Sequence, residues 1–162
     1  MRATLFTIDA PCAGRLSTMA KPRGDDWLDE EMAALRDEGV DVLVSALTPA
    51  EMRETGLGGE PESARAAGLE FVPLPIPDRA VPDPDAVLPE LRRLAARLDA
   101  GAHVVTHCRF GVGRSSLLAA SLLVLGGLDA EDAWTRIAAA RGRSVPDTAE
   151  QRAWVARIAT PT

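Results

Sequence analysis

The stretch VVTHCRFGVGRSS, residues 104–116, decides how this chain is read. The apolar, β-branched run AHVVTH ends at His107-Cys108, passes Gly111 and Gly113, and reaches Arg114-Ser115 ahead of the apolar segment LLAASLLVLGGL at 117–128. The first part has the composition of a buried strand and the last that of a buried helix. A glycine-containing loop that opens a helix brings backbone N–H groups together, and the helix dipole there favours negative charge. Gly111 and Gly113 let such a loop curl without side-chain obstruction. Cys108 begins the loop and Arg114 ends it, so amides suited to a ligand oxyanion would also hold a thiolate, lowering the thiol pKa. Arg114 adds a planar fork able to take two oxygens of one phosphate. A cysteine and an arginine separated by five residues are a weak signal alone. The strand before, the two glycines, Ser115 and the helix after make it a strong one.

Working outward, residues 2–8 alternate weakly as an edge strand, with GRLST at 14–18 as a possible partner. DDWLDEEMAALRDEG at 25–39 carries helix signals: an acidic first turn, Trp27, Leu28, Met32 and Leu35 at helical spacing, and Gly39 as a cap. VDVLVSAL at 40–47 predicts a strand covered on both faces. TPAEMRETG at 48–56 predicts a short helix with Thr48 and Glu51 as a capping box. EFVPLPI at 70–76 predicts another strand, followed by the turn-rich PDRAVPDPD. Helices are predicted at 84–99, from near Arg114, at 129–142 and at 147–159, with Trp134 and Trp154 as core residues and Trp27 either core or lining a cleft. Alternating strands and helices predict one α/β domain over 1–162, its mainly parallel sheet of about five strands flanked by helices.

The run His107-Cys108-Arg109-Phe110-Gly111-Val112-Gly113-Arg114-Ser115 resembles the signature loop of the cysteine-dependent protein tyrosine phosphatases. The chain looks most like their small dual-specificity branch, of the kinase-associated type with its bacterial relatives. The likeness runs from about Gly14 to about Val155, through PIPDRAVPD and SVPDTAEQ. It implies a phosphatase acting on a phosphorylated protein or peptide, in which Cys108 attacks phosphorus and water then releases phosphate. It also implies that no metal or cofactor is needed and that residues 109–114 cradle the phosphate.

The chemistry requires a general acid, because an alkoxide or phenoxide leaves poorly unless protonated. Asp78, Asp83 and Asp85 are the candidates. Asp78 directly follows the strand at 70–76, on the sheet edge that carries Cys108, and it matches the family's position. Asp83 and Asp85 suit the start of the next helix. The resemblance further gives Ser115 a hydroxyl toward the thiolate, His107 a role in orienting the loop, and Gln151 the positioning of the hydrolytic water. Alone, these three read equally as a helix-start serine, a satisfied histidine and a surface glutamine. Arg109 could face outward or pair with an acidic residue, and Cys12 reads as a quiet core or loop cysteine.

Composition sets the outer limits. The 162 residues are 46% hydrophobic and 26% charged, ordinary for a soluble globular protein. A net charge of −6 argues against nucleic-acid binding and requires any anion to be held by local chemistry. The N-terminus lacks a signal-peptide pattern and residues 117–128 are too short to span a bilayer, so a cytoplasmic monomer without membrane contact is expected. The single lysine, Lys21, beside 17 arginines reads as compositional bias. Three alternatives stay open: a phosphoinositide phosphatase, a rhodanese-like sulfurtransferase, and a phosphate-binding module without catalysis. Only Arg109 adds charge within the loop, which disfavours the lipid. The Gly-Val-Gly-Arg-Ser ending and an acid at Asp78 disfavour the other two.

Overall fold

A computed structural model of the chain describes residues 4–159; part of the predicted strand at 2–8 therefore lies outside the described residues. Five strands form one sheet in the order β1-β2-β5-β3-β4: β1 (Phe6–Thr7), β2 (Arg15–Met19), β3 (Val42–Ser45), β4 (Glu70–Pro73) and β5 (His103–His107). β1 pairs antiparallel with β2 at the edge, and every other pairing is parallel. The helices are α1 (Leu28–Asp37), α2 (Pro49–Glu54), α3 (Glu60–Ala66), α4 (Pro84–Asp99), α5 (Arg114–Leu125), α6 (Ala130–Arg141) and α7 (Ala149–Ala159).

The period-2 alternation of the strands divides the core between the two faces of the sheet. Val104, Val42 and Val44 pack into the cluster built with α4, α5, α6 and α7. Val105 and Leu43 point the other way and join Leu28, Met32 and Leu35 of α1. β5 and β3 are buried at every position, which is why their sequences are nearly unbroken apolar runs. α5 is buried from Arg114 to Val124, as a helix apolar on all sides must be. It follows β5 directly and starts where the strand meets the loop; Thr106 Oγ1 ties the two by donating to the Ser115 carbonyl at 2.8 Å.

Two expectations need correction, and one helix is unexpected. β4 ends at Pro73 rather than at residue 76, although the Leu74 and Ile76 amides still bond to Ser45 and Ala46 of the neighbouring segment. Trp27 is not a core residue: residues Asp25–Trp27 form a 3₁₀ turn, which rotates the indole off the face set by Leu28 and Met32. It is 51% exposed, with the Arg23 guanidinium 4.2 Å above its ring. α3 carries no clear sequence signal because GGEPESARAAG offers glycines, a proline and only small apolar residues; burial of Ala64 and Ser63 holds it. Trp134 and Trp154 are core as expected, each 1% exposed.

Candidate active site

The loop 108–113 sits at the C-terminal end of β5, between β2 and β3, where the crossover direction of a parallel sheet reverses and a crevice opens. Gly111 takes φ +74, and a Cβ there would lie 2.9 Å from the Ala20 amide nitrogen and the Met19 carbonyl carbon. Gly113 is different: its φ of −90 suits any residue. Here a Cβ would meet Asp147 Oδ2 at 2.2 Å, so any other residue would have to displace that side chain. Three successive carbonyls of the loop are held from outside. Lys21 N donates to the Arg109 carbonyl at 3.2 Å, while Arg141 donates to Phe110 (3.3 Å) and Gly111 (3.0 Å).

Cys108 is 3% exposed, with Sγ 3.3 Å from Ser115 Oγ. Burial pushes its thiol pKa up, but hydrogen bonds from the Ser115 hydroxyl and the amides of Ser115, Gly111 and Val112 outweigh burial, and the thiol ends below its ordinary value of 9.0. Those amides are the converging donors expected of the loop.

Behind the cysteine lies a fully buried pair that sequence alone does not reveal. His107 Nε2 is 2.7 Å from Glu60 Oε2, and His107 Nδ1 is 3.2 Å from the Cys108 carbonyl. Carbonyl and carboxylate oxygens only accept, and a neutral imidazole can donate from one nitrogen only. A ring carrying both protons satisfies both contacts. Burial lowers the His107 pKa, but the Glu60 charge and hydrogen bonds to Glu60 and the Cys108 carbonyl overcome that and raise it.

Arg114 is 2% exposed and anchored from the far side. Its Nη1 donates to Glu51 Oε1 (2.6 Å) and the Ile76 carbonyl (2.8 Å), and its Nη2 to Glu51 Oε2 (2.9 Å). The Arg114 hydrogen bonds hold Glu51 down to a pKa of about 2, against partial burial, helped by the bonds from Thr48. Of the five guanidinium N–H groups, three are taken. The remaining two, on Nε and on the outer side of Nη2, form one edge of the fork, the geometry that meets two oxygens of a phosphate. Glu51 also closes the expected capping box with Thr48. A capping residue with this second partner 63 positions away has no local signature.

Asp78 is 60% exposed and its Oδ1 lies 3.5 Å from Arg114 Nη2. Asp83 is turned the other way: it is the N-cap of α4, its Oδ1 accepting from the Asp85 amide at 3.2 Å. The loop bearing Asp78 turns through Arg79 at φ +63, with Ala80 N bonded to the Pro77 carbonyl. Gln151 is not a surface residue; it is fully buried. Its Oε1 accepts from the Asp147 and Thr148 amides, and its Nε2 donates to the Ala80 carbonyl at 3.2 Å, fastening α7 to the Asp78 loop. Arg109 directs its side chain to Glu54 at 3.4 Å, leaving only its backbone at the cradle. Phe110 stands 67% exposed at the rim. Cys12 is half-buried on a different segment; burial and the Asp99 charge push its thiol up. Among the described residues no cluster of His, Cys, Asp and Glu could hold a metal, and no helix is long and apolar enough to cross a membrane.

A cysteine held by converging amides and an anchored arginine at opposite ends of one loop, on this sheet, are the arrangement of a cysteine-dependent phosphatase of the dual-specificity type. Over residues 17–128 the chain matches, and belongs to, the family described as polymorphic toxin system, DSP-PTPase phosphatase. Comparison with curated protein sequences finds no match. The fold is similar to that of kinase associated phosphatase carrying a serine in place of its catalytic-site cysteine, with a TM-score of 0.87 at 20% identity over 98% of this chain and 94% of that one. It is also similar to PTPMT1 in complex with PI(5)P, with a TM-score of 0.73 at 23% identity over 89% of each chain. TpbA of P. aeruginosa in complex with pTyr gives a TM-score of 0.58 at 26% identity, over 90% of this chain and 79% of that one.

Proposed function

We propose that the enzyme hydrolyses phosphomonoesters on proteins, phosphotyrosine in preference and phosphoserine or phosphothreonine more slowly. The Cys108 thiolate forms an S–P bond as the ester P–O bond breaks, and Asp78 gives its proton to the departing oxygen. Water then attacks phosphorus, its proton returning to Asp78, and the S–P bond breaks to release phosphate and the thiolate. Arg114 holds two phosphoryl oxygens through its free edge, together with the amides of residues 109–114. Ser115 donates to the sulfur as it leaves, the imidazolium of His107 fixes the Cys108 carbonyl, and Gln151 keeps one amide N–H for the attacking water. The observation that carries this reading is the approach of Asp78 to Arg114 at 3.5 Å, from a loop 36 positions away in sequence. The exposed ring of Phe110 beside the cradle suits an aromatic phosphoester, and TpbA, the relative solved with pTyr, lends support.

Cys108→Ser should bind phosphotyrosine peptides and not turn them over, since a serine hydroxyl is not ionised near pH 7. Catalytic efficiency on phosphotyrosine peptides should exceed that on inositol lipids by at least about tenfold. Turnover by clean Cys108→Ser protein, or the reverse ranking of substrates, would refute the proposal.

A further inference from the structure

Next to the phosphate loop a groove of about 560 Å³ opens, lined by Lys21, Arg53, Arg109 and Phe110, with Asp25 and Glu54 on its walls. Arg109 and Phe110 directly follow the nucleophile, so the groove continues the cradle outward. The only lysine of the chain lies here, seated by its own backbone bond to Arg109. Of the two carboxylates, Glu54 pairs with Arg109 at 3.4 Å, while Asp25 lies against Gly56, where a Cβ would fall 2.5 Å from its Oδ2. Lys21 and Arg53 make no ion pair among the described residues. A protein of net charge −6 thus presents a surplus of one positive charge in the groove beside its phosphate site.

We infer that this groove binds an acidic side chain of the substrate peptide, a few residues from the phosphorylated one; the inference rests on the phosphoprotein reading above. Extended peptide advances about 3.3 Å per residue, so a groove that begins at the residues following Cys108 is reached within three positions. The lining carries three cations and two carboxylates, a surplus of one, which complements a single carboxylate. A polyphosphorylated ring would bring several charges against Asp25 and Glu54. Lys21 and Arg53 come from the segments after β2 and within α2, so the loop sequence gives no hint of them.

The test is a set of phosphotyrosine peptides with one Glu, Gln or Lys placed from three residues before to three after the phosphoresidue. Para-nitrophenyl phosphate measures the chemistry alone. At low ionic strength the wild type should prefer the best-placed Glu over Gln by roughly fivefold in kcat/KM, as two solvent-facing pairs allow. The preference should shrink toward one with added salt. It should vanish in Lys21→Met/Arg53→Met and turn toward the Lys peptide in Lys21→Glu/Arg53→Glu, a gain that damage to folding cannot produce. Equal use of Glu and Gln peptides by a wild type that hydrolyses para-nitrophenyl phosphate would overturn the inference and leave the hydrolase reading intact. So would a Glu preference that survives both double variants, or variants that lose activity only on inositol-lipid vesicles. Failure to hydrolyse para-nitrophenyl phosphate would overturn the hydrolase reading, and this inference with it.

Discussion

Both carboxylate oxygens of Glu51 face both terminal nitrogens of Arg114, at 2.6 and 2.9 Å, so the arginine proposed to take the phosphate is fixed by the protein itself. The same carboxylate caps α2 through Thr48, which ties the orientation of the guanidinium to the start of a helix on another segment.

Removing that anchor should be costly, because Arg114 would remain buried without its counter-charge. Glu51→Ala is expected to lose about 3–5 kcal/mol of stability. Phosphate or sulfate should raise the Tm of the variant more than that of the wild type, since an anion replaces the missing partner. Glu51→Gln should impair turnover through a misaligned Arg114. The pH dependence follows from a folded pKa of about 2 against an ordinary 4.5: the stabilisation is present above 4.5 and lost as pH falls through 2. Thermal melts against pH, with and without phosphate, measure all three effects.

The buried His107–Glu60 pair has the opposite sign. A histidine whose folded pKa is raised stabilises fully below its unfolded value of 6.5, and loses that contribution as pH rises through the folded pKa. Glu60→Gln should lower the His107 pKa, remove the positive charge beside the loop and raise the Cys108 thiol pKa. The pH profile of iodoacetamide alkylation at Cys108 should then move to higher pH, and an unmoved profile would detach His107 from the thiol.

Asp78→Asn should remove the falling limb of the pH–rate profile at high pH. With poor leaving groups it should cost roughly 10²–10⁴-fold, and much less with activated aryl phosphates. Asp83→Asn should be near neutral for both rate and stability, because asparagine caps a helix as well as aspartate. Rates on aryl phosphates of graded leaving-group pKa distinguish the two; the leaving-group dependence appearing with Asp83→Asn instead would reassign the acid.

The two loop glycines should fail for different reasons. Gly113→Ala collides with the Asp147 carboxylate, so Asp147→Ala in the same chain should recover much of the lost stability and activity. Gly111→Ala meets backbone at φ +74, and no side-chain deletion relieves it. A double-mutant cycle read by Tm separates them: strong coupling for 113 with 147, none for 111 with 147.

What lay in the sequence was most of what depends on near neighbours. The strand–loop–helix at 103–125, the helices at 84–99, 129–142 and 147–159, and the Thr48–Glu51 cap follow from periodicity and capping chemistry over a few residues. Cys108 and Arg114 stood out because both belong to one loop, and Asp78 because it lies in the segment that leaves a strand of the same sheet. The partners that give these residues their properties lie far away in the chain: Glu51 is 63 positions from Arg114, and Glu60 is 47 from His107. A capping glutamate and a glutamate in a glycine-flanked helix carry no mark of that use. Trp27 illustrates the same limit, since one 3₁₀ turn was enough to move it from the expected core face to solvent. Hydrophobic pattern and turn chemistry act locally and fixed the elements. Only the packing of the sheet decided which charges would be buried against each other, because the desolvation that makes those pairs matter exists only once the chain has closed around them.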